Sequence, residues 1–151
     1  MIELSIAGGN AKQRKLVEKA IKFYIDLKLP NIRSLRLRVE LKKQDGVSLL
    51  PGDYGSVVNV GGYNSFHMDL WKKQNIHQLL ETTMHEMIHV KQSIKKEWTT
   101  YYSKCYWKGI DHTDTSYSQQ PWEKQAWRLS GSMGRKFKEL FSSTTNLLYI
   151  I

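Results

Sequence analysis

His85, Glu86 and His89 fall within the run His85-Glu86-Met87-Ile88-His89. On a helix, a separation of four residues stacks the two imidazoles on one face, about one turn apart. Imidazoles held that way can bind one Zn²⁺ from the same side. Glu86 adjoins the first of them. It can reach a water at the metal without being a ligand and take its proton as general base. The plainer reading is a surface helix that carries two histidines by chance. Against it, the apolar residues Met84, Met87 and Ile88 surround the run, and a buried helix has few reasons to collect two His and one Glu.

A catalytic zinc takes three protein ligands and keeps one position open. The third must come from elsewhere, and Asp111, His112, Asp114 and Glu123 are the candidates after the run. Glu123 is preferred. It follows Pro121-Trp122 in the first turn of an expected helix, where a rigid element would position it. The other three sit in a polar stretch and read as solvated turn residues. Glu123 has a plainer reading too, as a carboxylate complementing a helix N-terminus. Hydrolysis of a peptide also needs a donor for the developing oxyanion. Tyr117 is the candidate, with Tyr106 as a second. Gln92, one turn beyond His89, is a candidate partner for that ring.

Several elements must position these groups. Asn75 to Glu97 is the clearest helix, capped by Asn75, with Ile76, Leu79, Leu80, Met84, Met87 and Ile88 as its apolar stripe. Pro121 opens a second helix running to Phe141, with Ala126, Leu129, Met133, Phe137 and Leu140 expected on its core face. Ala11 to Leu29 is a third, amphipathic helix stopped by Pro30. Ser34 to Lys43 alternates as a half-buried strand. Leu35, Leu37, Val39 and Leu41 face inward, and Arg36, Arg38, Glu40 and Lys42 face water. Met1 to Ala7, Gly55 to Val60, Ser65 to Trp71 and Trp98 to Trp107 read as further strands. Gly61 to Asn64 joins the middle two as a hairpin. The expected class is α+β: a small, mostly antiparallel sheet packed on the three helices.

Length and composition fit one domain over residues 1–151, with 40% hydrophobic and 25% charged residues. Cys105 is the only cysteine, so an internal disulfide and a Cys-rich zinc site are both excluded. No signal-peptide pattern opens the chain and no apolar run spans a bilayer, so the expected compartment is the cytoplasm, with no membrane partner. The net charge is +9, from 23 Lys+Arg against 14 Asp+Glu. That balance favours acidic partners, nucleic acid among them.

The run His85 to Gln92, followed by Pro121-Trp122-Glu123-Lys124-Gln125-Ala126, resembles the zincin metallopeptidases. It resembles specifically their Glu-ligand (gluzincin-like) branch and looks like small zincin-type proteins of phages and bacteria. The resemblance covers roughly Ser65 to Met133. It implies a minimal zincin-like fold and a zinc peptidase with His85, His89 and Glu123 as ligands and Glu86 as base. The substrate would be a peptide or protein. The resemblance also implies that Ser65 to Trp71 is the sheet edge to which an extended substrate adds. His67 on that strand is then a candidate substrate contact, although a lone His on a strand is more often a packed or surface residue. SprT-like proteases, which act near DNA, share the short motif and often a basic charge. They usually carry Cys-rich zinc modules that this chain lacks.

A second class of function is a basic nucleic-acid-associated protein whose zinc is structural or inactive. Its footprint would be Arg36, Arg38, Lys42 and Lys43 with Lys12, Arg14 and Lys15. Glu86 discriminates the two classes, because a structural zinc is closed by four ligands and needs no adjacent base.

Overall fold

The computed structural model describes residues 1–141, so residues 142–151 of the expected domain lie outside the described residues. β1 (Ile2–Gly8) leads through Gly8 and Gly9 into α1 (Ala11–Lys28). Gly8 has φ +80°, and a Cβ there would run into the Leu41 carbonyl, so the turn requires glycine. Asn10 caps α1 in a reciprocal capping box with Gln13. The chain returns as β2 (Leu35–Lys42). It then forms the hairpin β3 (Gly55–Asn59) and β4 (Ser65–Trp71), and enters α2 (Ile76–Ile94).

The four strands lie in the order β1-β2-β4-β3. β1 and β2 are parallel, β2 and β4 are parallel, and only β3 and β4 are antiparallel. This corrects the expectation of a mostly antiparallel sheet. The helix between β1 and β2 forms a crossover, which returns the chain parallel rather than antiparallel. A second correction concerns the edge. β4 is internal, flanked by β2 and β3, and the edge on that side is β3. The hairpin folds β3 to the outside.

All three helices lie on one face of this sheet. Leu35, Leu37, Val39 and Leu41 of β2 and Phe66, Met68 and Leu70 of β4 point into a core shared with Leu16, Ile21, Leu79, Met84 and Phe137. Each such side chain, fully buried, contributes about 1.5–3 kcal/mol. α2 is the central helix. It packs against α1, α3, β3 and β4, and its buried residues include His85, Glu86 and His89.

α2 stops at Ile94, three residues before the expected end, and Lys96 follows with φ +57°. The expected strand from Trp98 to Trp107 is a hairpin of β5 (Trp98–Tyr101) and β6 (Lys104–Trp107), turning at Tyr102 with φ +54°. β7 (Ile110–Asp111) completes this small antiparallel sheet. A single turn of 3-10 helix at Tyr117–Gln119 leads into α3 (Pro121–Phe141). The buried face of α3 is Trp122, Ala126, Ser130, Met133, Gly134 and Phe137. Leu129 and Leu140, expected in the core, are exposed. Small residues at Ser130 and Gly134 allow close packing on α2, and Gly134 sits against Leu80. That contact and the burial of Ala126, Met133 and Phe137 in the core together fix the rotation of α3. No helix among the described residues is long and apolar enough to cross a membrane.

Candidate metal centre

α2 and α3 bring His85, His89 and Glu123 together. His85 Nε2 lies 3.2 Å from Glu123 Oε2, His89 Nε2 lies 3.0 Å from Glu123 Oε1, and the two Nε2 atoms are 3.2 Å apart. Ligand atoms at about 2.0–2.1 Å from a tetrahedral zinc stand about 3.3–3.4 Å from one another. The His85–His89 edge is close to that spacing, each ring meets a different oxygen of the Glu123 carboxylate, and one ligand atom from each residue lies within 4.8 Å of the others, so the set could hold a divalent metal. Asp111, His112 and Asp114 do not join them. Asp111 accepts from Thr113, and His112 Nδ1 pairs with Thr115 Oγ1.

The ring orientation of His89 is set by Gln92. The amide Nε2 of Gln92 donates to the Trp122 carbonyl at 3.0 Å and to Gln125 Oε1 at 2.8 Å. Its Oε1 is thereby left facing His89 Nδ1 at 2.8 Å. An amide oxygen only accepts, so Nδ1 carries a hydrogen, and loss of the proton that Nε2 shares with Glu123 would leave a lone pair there to ligate a metal. Gln92 is 1% exposed, and the same side chain ties α2 to the start of α3. Among the described residues, His85 Nδ1 is buried without a protein partner. Aromatic rings frame both histidines: Trp127 lies 4.6 Å from the His85 ring centroid, and Trp98 lies 5.2 Å from that of His89. Trp98 stacks in turn on Trp122.

Glu123 is held in the first turn of α3, where Pro121 starts the helix. Glu123, Trp127 and Ser130 follow helical spacing on one face and line a cleft of about 550 Å³. His85, Glu86, His89 and Tyr117 line the same cleft, with Gly55, Ser56 and Val57 of the edge strand opposite. Gly55 makes the strand's approach to α2 tolerable. A Cβ there would stand 2.7 Å from Thr82 Cγ2 and 3.2 Å from Glu86 Oε1. The loop before β3 is tied to α2 through Gln74, which donates to the Tyr54 and Trp71 carbonyls and accepts from Thr82.

Burial is the main cause that raises the Glu86 pKa, with His89 and His85 opposing it. Burial also opposes ionisation of Glu123, yet its hydrogen bonds to His85 and His89 hold its pKa well below the usual carboxylate range. For His89, burial disfavours the charged ring, but Glu123 and Glu86 outweigh it and raise the pKa. Tyr117 donates to Glu123 Oε2 at 3.1 Å. Burial, reinforced by the Glu123 charge, pushes its phenol up to about 12.

Of the residues read from the sequence, the structure gathers His85, Glu86, His89, Tyr117 and Glu123 at one cleft. Tyr106 lies on β6 and does not line it. His67 lies on β4, paired with Asp69 and away from the cleft. Gly55 was not singled out by type. Trp98, Trp107, Trp122 and Trp127 read from the sequence as core around the site, with an aromatic cleft wall as the alternative; Trp127, four residues after Glu123, is exposed and lines the cleft. Among the basic residues, Arg36 pairs with Glu3, Lys42 pairs with Asp45, and Arg14 donates to the Gly8 and Gly9 carbonyls. Comparison with protein-family models, curated proteins and solved structures finds no match to this chain.

Proposed function

We propose that this chain is a zinc-dependent metallopeptidase of minimal zincin-like build, with His85, His89 and Glu123 as ligands and Glu86 as general base. One observation carries the reading: donor atoms of His85, His89 and Glu123 converge within 4.8 Å of one another in a cleft that Glu86 also lines. Zinc, when bound, supplies Lewis-acid polarisation of the scissile carbonyl and a lowered water pKa. The chain's own residues do the rest. Glu86 accepts a proton from the attacking water and returns it to the leaving amine. Gln92 keeps the His89 ring in its ligand tautomer. Tyr117, which lines the cleft and whose hydroxyl reaches Glu123, would donate to the oxyanion of the substrate. β3 takes the role expected of β4. It is the edge strand beside the cleft, and an extended peptide would add to its outer edge.

The test is cleavage of a broad peptide library by the zinc-loaded protein and by its Glu86→Gln variant. The expected result is cleavage by the first, none by the second, and equal zinc in both. Equal cleavage by the two proteins, or none by either, would reject the peptidase reading.

A further inference from the structure

The sheet face turned away from the helices holds a second convergence of donor groups. In the parallel ladder of β2 and β4, Glu40 stands directly opposite Asp69 and Arg38 opposite His67. Alternation sends Val39, Leu41, Met68 and Leu70 into the core. Glu40, His67 and Asp69 therefore share the outer face. Their ligand atoms lie within 4.8 Å of one another, and His67 Nε2 is 3.0 Å from Asp69 Oδ1.

Two carboxylates directly opposite each other on neighbouring strands repel. Water screens this pair weakly, because the Asp69 side chain is only 4% exposed. Cations are plentiful on this face, yet none is spent on the pair. Arg36 binds Glu3 and Lys42 binds Asp45, and among the described residues neither Glu40 nor Asp69 has an ion pair with Lys or Arg. The field of the two carboxylates still reaches Lys42. Its pKa is raised first by the hydrogen bond to Asp45 and further by Asp69 and Glu40. A register-matched carboxylate pair, with Asp69 buried and Glu40 half-buried, beside an imidazole, with the local lysine and one arginine engaged elsewhere, is an environment that a small divalent cation would neutralise.

We propose that Glu40, His67 and Asp69 form a second divalent-metal site on the open face of the sheet. One imidazole and two carboxylates suit zinc or manganese, whereas calcium takes six to eight oxygen ligands. His67 is 29% exposed, which gives the ion a path in from solvent. The ion would cross-link β2 and β4, and positions beyond the three protein donors would be filled by water. The site lies on the opposite side of the sheet from the α2–α3 cleft and does not depend on it.

The test is zinc stoichiometry. The full chain is stripped with chelator, dialysed and titrated with zinc chloride by calorimetry near neutral pH, with circular dichroism to check the fold. The wild type should take two equivalents. His67→Ala should lose one, and Glu40→Gln, at a half-buried position, should weaken that equivalent at least tenfold. His85→Ala/His89→Ala should lose the other equivalent and keep the one at the sheet face. A wild type with a single equivalent that both sheet-face variants leave intact would overturn the site. So would a second equivalent that survives both, because it would then belong to an adventitious surface histidine. Loss of an equivalent in His67→Ala with no change in His85→Ala/His89→Ala would keep this site and reject the α2–α3 centre instead.

Discussion

The two faces of the main sheet carry donor triads of similar makeup in different surroundings. On the helical face, two imidazoles and a carboxylate project from α2 and α3 into a cleft. Gln92 orients one ring, and Trp127 and Trp98 pack on both. On the open face, one imidazole and two carboxylates project from adjacent strands, with no cleft residue among them. Glu86, a carboxylate that is not in the triad, stands beside the first group alone. Donor groups suffice for binding. Chemistry needs in addition a base, an enclosed volume and fixed ligand orientation, and only the helical face combines these.

Substitutions can break or sharpen that contrast. The largest effect is expected from His89→Ala, which should remove zinc from the cleft and abolish peptide cleavage together; metal analysis and a cleavage assay on the same preparation read both. Tyr117→Phe should keep zinc and lower turnover on the order of 10²-fold, the scale of one lost oxyanion donor. Normal turnover in that variant would limit Tyr117 to holding Glu123. Gln92→Leu should weaken zinc binding about 10–100-fold, as loss of a ligand-orienting partner does. It should also cost about 1–3 kcal/mol of stability, because the Trp122 carbonyl loses its buried donor. Calorimetry and denaturant melts separate the two effects. Gly55→Ala should retain zinc but slow cleavage, since the new Cβ crowds Thr82 and Glu86, with an overpacking cost of about 1–3 kcal/mol. Arg36→Ala comes last. It removes an exposed ion pair with Glu3, worth at most about 1 kcal/mol, and should leave zinc binding and cleavage unchanged.

The helices and most site residues were legible because their signals are local. Asn75 and Pro121 mark helix starts, the four-residue spacing of His85 and His89 implies one face, and Glu123 sits where Pro121 would fix it. The position of β4 inside the sheet was not legible. It depends on which strand of a hairpin meets β2, a non-local choice that alternation within either strand does not record. The rotation of α3 was misjudged for a related reason. Leu129 and Leu140 count as apolar in the sequence, but close packing at Ser130 and Gly134 turns them outward. Glu40 and Asp69 are far apart in the chain and meet only through the parallel register, so that pairing has no sequence signal at all.

The most direct measurement is anomalous diffraction at the zinc edge from crystals of the zinc-loaded protein. The expected result is a peak within about 2.0–2.2 Å of His85 Nε2, His89 Nε2 and a Glu123 oxygen, with an open position toward the cleft. Absence of a peak there, or a peak bound by His112 with Glu123 turned to solvent, would contradict the proposed centre.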